Sequence, residues 1–191
     1  MNTDNDSRPK RGRPISLNPS ETIGLERPQA GKKIELIVKN GVIRIAAKQF
    51  NNAEDITLAF TCKTDVFKFQ YPKNLELSIE AITDATYTVG SISKIESDTS
   101  DAIMDWIIQL HIMRHEKNLE NRLIKFFRLL MIRLGKRTSE GLLLEHTLSH
   151  ARIAEIIGST RSTVSRTLST LRKSRQICID ELKGEIILPV D

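Results

Sequence analysis

The residues whose side chains are best suited to recognising another molecule lie late in the chain, between Leu148 and Leu168. Arg161 and Arg166 each carry a planar guanidinium, which can donate two parallel hydrogen bonds to O6 and N7 of guanine. They lie five residues apart, so on a helix they flank the outward face rather than share one line. No acidic residue occurs between Arg161 and Arg175, so such a helix could approach DNA phosphates without repulsion. The chemistry predicted is base recognition in the major groove of double-stranded DNA.

Two helices joined by a tight turn are predicted to hold these arginines. Ser149 is placed to cap the first helix, and Gly158 can adopt the left-handed backbone conformation that ends it. Ser159 or Thr160 can then cap the second helix. Apolar residues recur at helical spacing on the inward side of both helices: Ile153, Ile157, Val164, Leu168 and Leu171. This pattern is typical of a helix-turn-helix.

The residues predicted to contact DNA are polar or basic and lie on this motif or in a hairpin after it. They are Ser149, His150, Ser159, Thr160, Arg161, Ser162, Thr163, Ser165, Arg166 and Lys183. Lys183 lies in the turn between two short strands, residues 177–180 and 185–188, which would form a wing. For Lys183 the alternative is a solvated lysine in a turn that contacts no phosphate. For Arg161 and Arg166 the alternative is that they only make the helix soluble.

A second basic segment, Arg8 to Pro14, resembles an AT-hook. Its tentative minor-groove residues are Lys10, Arg11, Gly12 and Arg13. Glycine permits close approach to the groove, and the flanking prolines keep the peptide extended. The alternative is a basic tether that attracts DNA without reading it. Four of the six prolines fall within the first 28 residues, and we expect residues 1–31 to be a disordered arm.

Four segments are predicted along the chain. After the arm, residues 32–100 contain short β-rich runs and form a small antiparallel β-domain, with a hairpin at Asn40-Gly41. Asp101 can cap a helix over residues 101–119, where Ile103, Ile107 and Leu110 form an apolar stripe. This helix either packs within one chain or, as we favour, forms a dimer interface. Residues 120–191 form the winged helix-turn-helix, which makes the chain an α+β protein.

Composition and charge restrict the function classes. The 191 residues carry a net charge of +5, which favours an anionic partner. No apolar run is long enough to span a membrane, and the N-terminus lacks the apolar region of a signal peptide, so we expect a cytoplasmic protein without membrane contact. Cys62 and Cys178 lie far apart and are expected to stay reduced.

The sequence provides no sign of an enzyme, a metal or a cofactor. It contains no nucleophile elbow, phosphate loop or HExxH motif. The sequence also does not place a second catalytic group near the adjacent carboxylates of Glu54 and Asp55. His111 and His115 have the i, i+4 spacing of metal ligands on a helix, but no third ligand is evident. We expect both histidines to lie at the surface or in a dimer interface.

The segment from Leu148 to Leu168, with its Gly158-Ser159-Thr160-Arg161 run and Arg166, resembles the C-terminal domain of Crp/Fnr-type transcription regulators. Among them it is most similar to the cyanobacterial nitrogen-control branch, and the likeness extends back through Asn121-Arg122-Leu123 to Asp101. The resemblance implies a homodimer that binds an inverted-repeat site, with RNA polymerase or a co-regulator as a further partner. It also implies that Arg161 and Arg166 are the base-reading arginines of the recognition helix, with the variable family position at Ser162.

The resemblance also implies a cyclic-nucleotide-type β-roll before the long helix. The matching stretch, Asp65 to Pro72, has none of the glycine, glutamate and arginine of the phosphate-binding cassette, which argues against a cyclic nucleotide. The nitrogen-control branch is associated with 2-oxoglutarate, but the long helix carries Ile103 and Ile107 before its first arginine, Arg114, which weighs against that dianion. We therefore expect a shortened, degenerate sensor domain.

Two alternative functions remain at this point. The chain could be an architectural DNA-binding protein that uses its basic arm with little sequence choice. It could instead be an interaction module whose β-domain recruits a co-regulator.

Overall fold

The computed structural model describes residues 12–49, 54–63, 65–92 and 101–189. The first part of the chain contains eight described strands: β1 (Ile15–Leu17), β2 (Thr22–Leu25), β3 (Lys33–Asn40), β4 (Val42–Lys48), β5 (Asp55–Cys62), β6 (Val66–Phe69), β7 (Glu76–Ala81) and β8 (Ala85–Ile92). They form two antiparallel four-stranded sheets, in the orders β1-β8-β3-β6 and β2-β7-β4-β5. The prediction of a small antiparallel β-domain is confirmed.

The connection between β3 and β4 differs from the predicted hairpin. Gly41 has the expected positive φ of 77°, but β3 pairs with β6 and β8 while β4 pairs with β5 and β7. The turn therefore carries the chain from one sheet to the other. A Cβ at Gly41 would collide with the carbonyl oxygen of Asp84, so glycine is required for this close approach.

Strands β1 and β2 lie within residues 1–31, so the prediction of a disordered arm is wrong for these strands. Ser16 in β1 lies opposite Thr86 of β8, and Ile23 in β2 lies opposite Ile79 of β7. Each is an edge strand of its sheet, so the β-domain does not begin at residue 32. Leu25, at the end of β2, is buried in the core.

Two helices in series follow the β-domain: α1 (Ala102–Arg114) and α2 (Leu119–Leu134). Asp101 caps α1, because its Oδ1 accepts hydrogen bonds from the backbone N–H groups of Ile103 and Met104, at 3.0 and 3.2 Å. The buried face of α1 consists of Ile103, Trp106, Leu110 and Met113. The rings of Trp106 and Phe60 of β5 meet edge to face, with centroids 5.7 Å apart.

The stripe predicted as a dimer interface therefore lies largely inside the chain. Ile103 and Leu110 are buried, and Ile107 is partly buried against the same core. A different set of α1 side chains faces outward: Met104, Ile108 and Ile112, which are 54%, 48% and 59% exposed. We call these three residues the α1 stripe.

The C-terminal part contains β9 (Lys136–Arg137), β10 (Gly141–Leu144), α3 (His150–Ile157), α4 (Arg161–Lys173), β11 (Cys178–Asp180) and β12 (Glu185–Pro189). Its strands form an antiparallel sheet in the order β11-β12-β10-β9. Leu123, Phe126, Phe127 and Leu130 of α2 are fully buried and join one core that continues from the β-domain to the last strand. This core fixes α3 and α4 against the rest of the chain.

Candidate DNA-binding interface

Helix α3 begins and ends, and helix α4 begins, where the sequence predicts. Ser149 caps α3, since its Oγ accepts a hydrogen bond from the backbone N–H of Arg152 at 3.1 Å. Gly158 ends α3 in the left-handed conformation, with φ 68° and ψ 57°. Thr160, rather than Ser159, caps α4, and its Oγ1 accepts from the N–H of Thr163 at 3.2 Å. These local contacts set the tight turn between the two helices.

The apolar faces of the two helices pack against each other, as predicted. The buried side chains are Ile153 and Ile157 of α3, and Val164, Leu168 and Leu171 of α4. Ala154 is also buried, where a small side chain allows the helices to approach closely. The opposite face of α4 is left to solvent.

The outward face of α4 carries two arginines whose side chains extend into solvent. Arg161 and Arg166 are exposed, and the guanidinium of neither has an ion-pair or hydrogen-bond partner among the described residues. Ser165 and Ser169 instead donate hydrogen bonds to carbonyl oxygens one turn earlier in α4, both at 3.0 Å. The exposed face of α4 therefore combines short polar side chains with two positive charges, which suits a helix that enters a DNA groove.

His150, the first residue of α3, contacts this face of α4. Its Nδ1 lies 2.7 Å from Oγ of Ser165, so two predicted DNA-contacting residues are brought together. Ser149 and Thr160 use their side-chain oxygens as helix caps. The hydroxyl groups of Ser162 and Thr163, in the first turn of α4, lie 3.1 and 2.8 Å from the Thr160 hydroxyl.

The predicted wing is the hairpin of β11 and β12. Asp180 orders its turn by accepting hydrogen bonds from the backbone N–H groups of Leu182 and Lys183, at 3.0 and 3.1 Å. Lys183 is exposed, and its Nζ lies 3.9 Å from Asp180 Oδ2. Nη1 of Arg172, near the end of α4, lies 2.6 Å from Oε1 of Glu181 and ties the wing to the recognition helix.

Of the minor-groove segment, Gly12 and Arg13 belong to the described part of the chain, whereas Lys10 and Arg11 lie outside it. Gly12 packs against β8 so closely that a Cβ would collide with the carbonyl oxygen of Val89. Arg13 is exposed. The AT-hook stays a prediction.

A group of charges between the β-domain and α3 was not predicted from the sequence. Arg44 of β4 is fully buried, and its guanidinium contacts Asp55 of β5 at 2.9 Å and Glu80 of β7 at 2.7 Å. Arg152 of α3 contacts the same two carboxylates, at 2.9 and 3.0 Å. Glu155 of α3 completes this interdomain ion cluster, 3.6 Å from Arg44.

Hydrogen bonds from β5 fix the cluster further. The carboxylate of Glu155 accepts from both the N–H and the hydroxyl of Thr57, at 3.0 and 2.9 Å. The hydrogen bond from Arg44, followed by its charge and that of Arg152, lowers the pKa of Asp55 although burial opposes the shift. One available signal was Arg44 itself, a charged residue within the apolar run Val42 to Ala47.

The stretch expected to match a phosphate-binding cassette forms β6 and the turn after it. Phe67 and Phe69 point into the β-domain core and are buried. Asp65 accepts hydrogen bonds from Thr61 and Cys62 of β5, both at 3.0 Å. These side chains hold β-domain strands together, and the expectations on cyclic nucleotide and 2-oxoglutarate stay predictions.

Two further observations concern only the described ranges. No group of three or more histidine, cysteine, aspartate and glutamate side chains in them is arranged to hold a metal ion. No helix in them is long and apolar enough to cross a membrane.

The arrangement of α3, α4 and the β11–β12 hairpin defines a winged helix-turn-helix DNA-binding protein. Residues 121–189 match the Crp-like helix-turn-helix domain. The chain is 25% identical over 178 residues to the global nitrogen regulator of Synechococcus elongatus, covering 83% of this chain and 79% of that protein. It is 34% identical over 91 residues to the global nitrogen regulator of a Nostoc species, covering 48% of this chain and 40% of that protein.

Solved structures show the same fold over nearly the whole chain. FixK2 from Bradyrhizobium japonicum superposes with a TM-score of 0.69 at 22% identity, covering 92% of this chain and 91% of that chain. A CRP/FNR-family regulator from Thermus thermophilus gives a TM-score of 0.63 at 18% identity, covering 94% of each chain. The protein therefore has the fold and the helix-turn-helix domain of Crp/Fnr-type transcription regulators, as the sequence resemblance implied.

Proposed function

We propose that the protein regulates transcription as a homodimer bound to an inverted-repeat site, with one α4 helix in each of two successive major grooves. The observation that carries this proposal is that the guanidinium groups of Arg161 and Arg166 both lie on the exposed face of a capped helix. Two such helices related by a two-fold axis would read half-sites about one helical turn apart. Such a protein acts in the cytoplasm beside RNA polymerase or a co-regulator.

The α1 stripe supports the dimer. Met104, Ile108 and Ile112 are spaced four residues apart and form an exposed apolar row on a helix whose opposite face is already buried. Removing such a row of apolar side chains from water lowers the free energy, so packing against a second copy is favourable. A parallel pair of α1 helices would also place both helix-turn-helix domains at the same end of the dimer, where one duplex can meet them.

A selection of random duplexes tests the DNA-binding part of the proposal. We expect the wild-type chain to enrich a palindrome, and Arg166→Ala to lose about 1 to 3 kcal/mol of binding free energy on that palindrome. Lys39→Ala removes an equal charge from the exposed end of β3 and serves as the matched control. Equal affinity of the wild-type chain for all duplexes would favour the architectural alternative instead.

Sedimentation analysis tests the dimer separately. Ile108→Glu places a charge in the α1 stripe and should shift the protein to monomers. Gln109→Glu adds the same charge at an exposed position of α1 outside the stripe, about 100° around the helix axis from Ile108, and should leave the dimer intact. A wild-type chain that sediments as a monomer would contradict the dimer without bearing on the helix-turn-helix.

A further inference from the structure

We propose that His111 and His115 form one half of a transition-metal site that a second copy of the chain completes across the α1 helices. The proposal rests on the dimer proposed above. It assigns to these histidines a role that neither the helix-turn-helix nor the α1 stripe requires. The cation class is one that imidazole ligands favour, such as Zn²⁺, Ni²⁺ or Cu²⁺.

The two imidazoles already converge on one point. Nε2 of His111 and Nε2 of His115 lie 3.1 Å apart, and the rings meet at 74° with centroids 4.6 Å apart. A cation about 2.1 Å from both nitrogens would subtend an angle of about 95°, between the octahedral and tetrahedral values. The pair therefore has the geometry of a two-nitrogen chelate.

The pair lies on the surface that the proposed dimer buries. His111 and His115 follow Met104 by seven and eleven positions, which at 3.6 residues per turn places both within about 20° of Met104 around the helix axis. Both histidines are exposed in the single chain. A second α1 packed on the stripe would therefore cover them.

A two-fold axis parallel to α1 supplies the missing ligands. Such an axis sets same-numbered residues opposite each other, so His111 and His115 of both copies would surround one cation with four imidazole nitrogens. This would explain why the described residues of one chain provide two ligands only. A parallel arrangement is required because both helix-turn-helix domains, which follow α1, must face one duplex.

The charged side chains next to the two histidines are held by other groups. Arg114 donates a hydrogen bond from Nη2 to the carbonyl oxygen of Glu155 at 3.0 Å, so its cation is directed toward α3. The carboxylate of Glu116 is held by Lys125 at 2.6 Å. Neither side chain competes for the position between the two histidines.

Metal uptake by the full chain, without a histidine tag, tests the proposal. The protein is stripped with a chelator, titrated with Ni²⁺ and separately with Zn²⁺, and analysed for bound metal and sedimentation. We expect one ion per two chains, loss of that uptake in both His111→Ala and His115→Ala, and a more stable dimer with metal. Gln109→Ala, on the same helix but away from the stripe, should bind metal as wild type does.

The outcomes separate this proposal from the proposed function. A dimer that binds its palindrome but takes up no more metal than the His111→Ala and His115→Ala variants would overturn the metal site alone. Here the monomer is made with Ile108→Lys, which breaks the stripe without adding a carboxylate ligand beside His111. Uptake of one ion per chain, retained in monomeric Ile108→Lys, would also overturn the proposal, because a second copy would then supply no ligand. Loss of uptake in Ile108→Lys would support the completion of the site by the partner.

Discussion

Nη1 of Arg152, on the helix before the recognition helix, lies 2.9 Å from Oδ1 of Asp55 in the β-domain. The same guanidinium contacts Glu80 of β7 at 3.0 Å. The position of the helix-turn-helix relative to the β-domain is therefore set by ion pairs as well as by the shared apolar core. These groups are only partly exposed, so solvent screens them less than it screens an ordinary surface pair.

Replacing Arg152 with alanine should destabilise the whole chain. The variant leaves the buried Arg44 alone against the three carboxylates of Asp55, Glu80 and Glu155. Because the cluster is partly reached by solvent, we expect a loss of about 1 to 3 kcal/mol in the free energy of unfolding, below the cost for a fully buried pair.

Urea denaturation measures this loss for the Arg152→Ala variant. Arg161→Ala is the matched control, since it removes an equal charge from a side chain without a partner in the described ranges. The control should change the free energy of unfolding by less than about 0.5 kcal/mol. Equal stabilities of the two variants would show that the interdomain ion cluster does not hold the domains together.

Acid should weaken the fold through His146, which lies between β10 and α3. Burial lowers the pKa of His146 to about 4 from the usual 6.5. Between these values the unfolded chain binds the proton and the folded chain does not, so stability is full above pH 6.5 and is lost as the pH falls toward 4. The loss at about pH 5 should be about 2 kcal/mol.

Urea midpoints at neutral pH and at about pH 5 check the effect of His146. The His146→Gln variant cannot take up this proton, so its midpoint should fall less between the two conditions. The same fall in wild type and variant would place the acid sensitivity on other groups.

The parts of the structure that were predicted correctly depend on local sequence. Ser149 and Gly158 act within one helical turn of their own position, so their roles follow from residue type and spacing. The interdomain ion cluster depends on contacts between residues 97 and 72 positions apart, as from Arg152 to Asp55 and Glu80. Arg44 alone indicates a buried charge, but no local pattern identifies the residues that pair with it.

Long-range pairing also explains the errors in the first part of the chain. Strand β1 has three residues and β2 has four, and each is held by pairing with a strand more than fifty residues later. Each alternates apolar with other residues over only three or four positions, which is too short a run to predict a strand. Helix α1 is apolar on nearly all sides, so spacing alone could not show that Ile103 faces inward and Met104 outward.

Alanine at Gly158 should destabilise the turn between α3 and α4. Gly158 has φ 68°, and an added Cβ would lie 3.3 Å from Nη2 of Arg114. A left-handed backbone with a side chain costs about 1 to 2 kcal/mol. Thermal or urea unfolding should show this loss in Gly158→Ala. In the control, Gly24→Ala, the new Cβ meets nothing within 4 Å, so an equal loss there would contradict the role of the turn.

Removing the negative charge of Glu181 should strengthen DNA binding without weakening the fold. Glu181 and Arg172 form an exposed pair 2.6 Å apart, with side chains 73% and 45% exposed, and such pairs contribute about 0 to 1 kcal/mol to stability. In Glu181→Gln the guanidinium of Arg172 becomes available to a phosphate beside the recognition helix.

The Glu181→Gln variant should bind duplex DNA more tightly at low salt. The slope of log affinity against log salt should become steeper by about 0.9, the value for one further phosphate contact. Glu26→Gln changes the net charge equally at an exposed position in the β-domain and should leave the slope unchanged. An unchanged slope in Glu181→Gln would place Arg172 and the wing turn away from the DNA backbone, whereas equal gains in both variants would assign the effect to net charge.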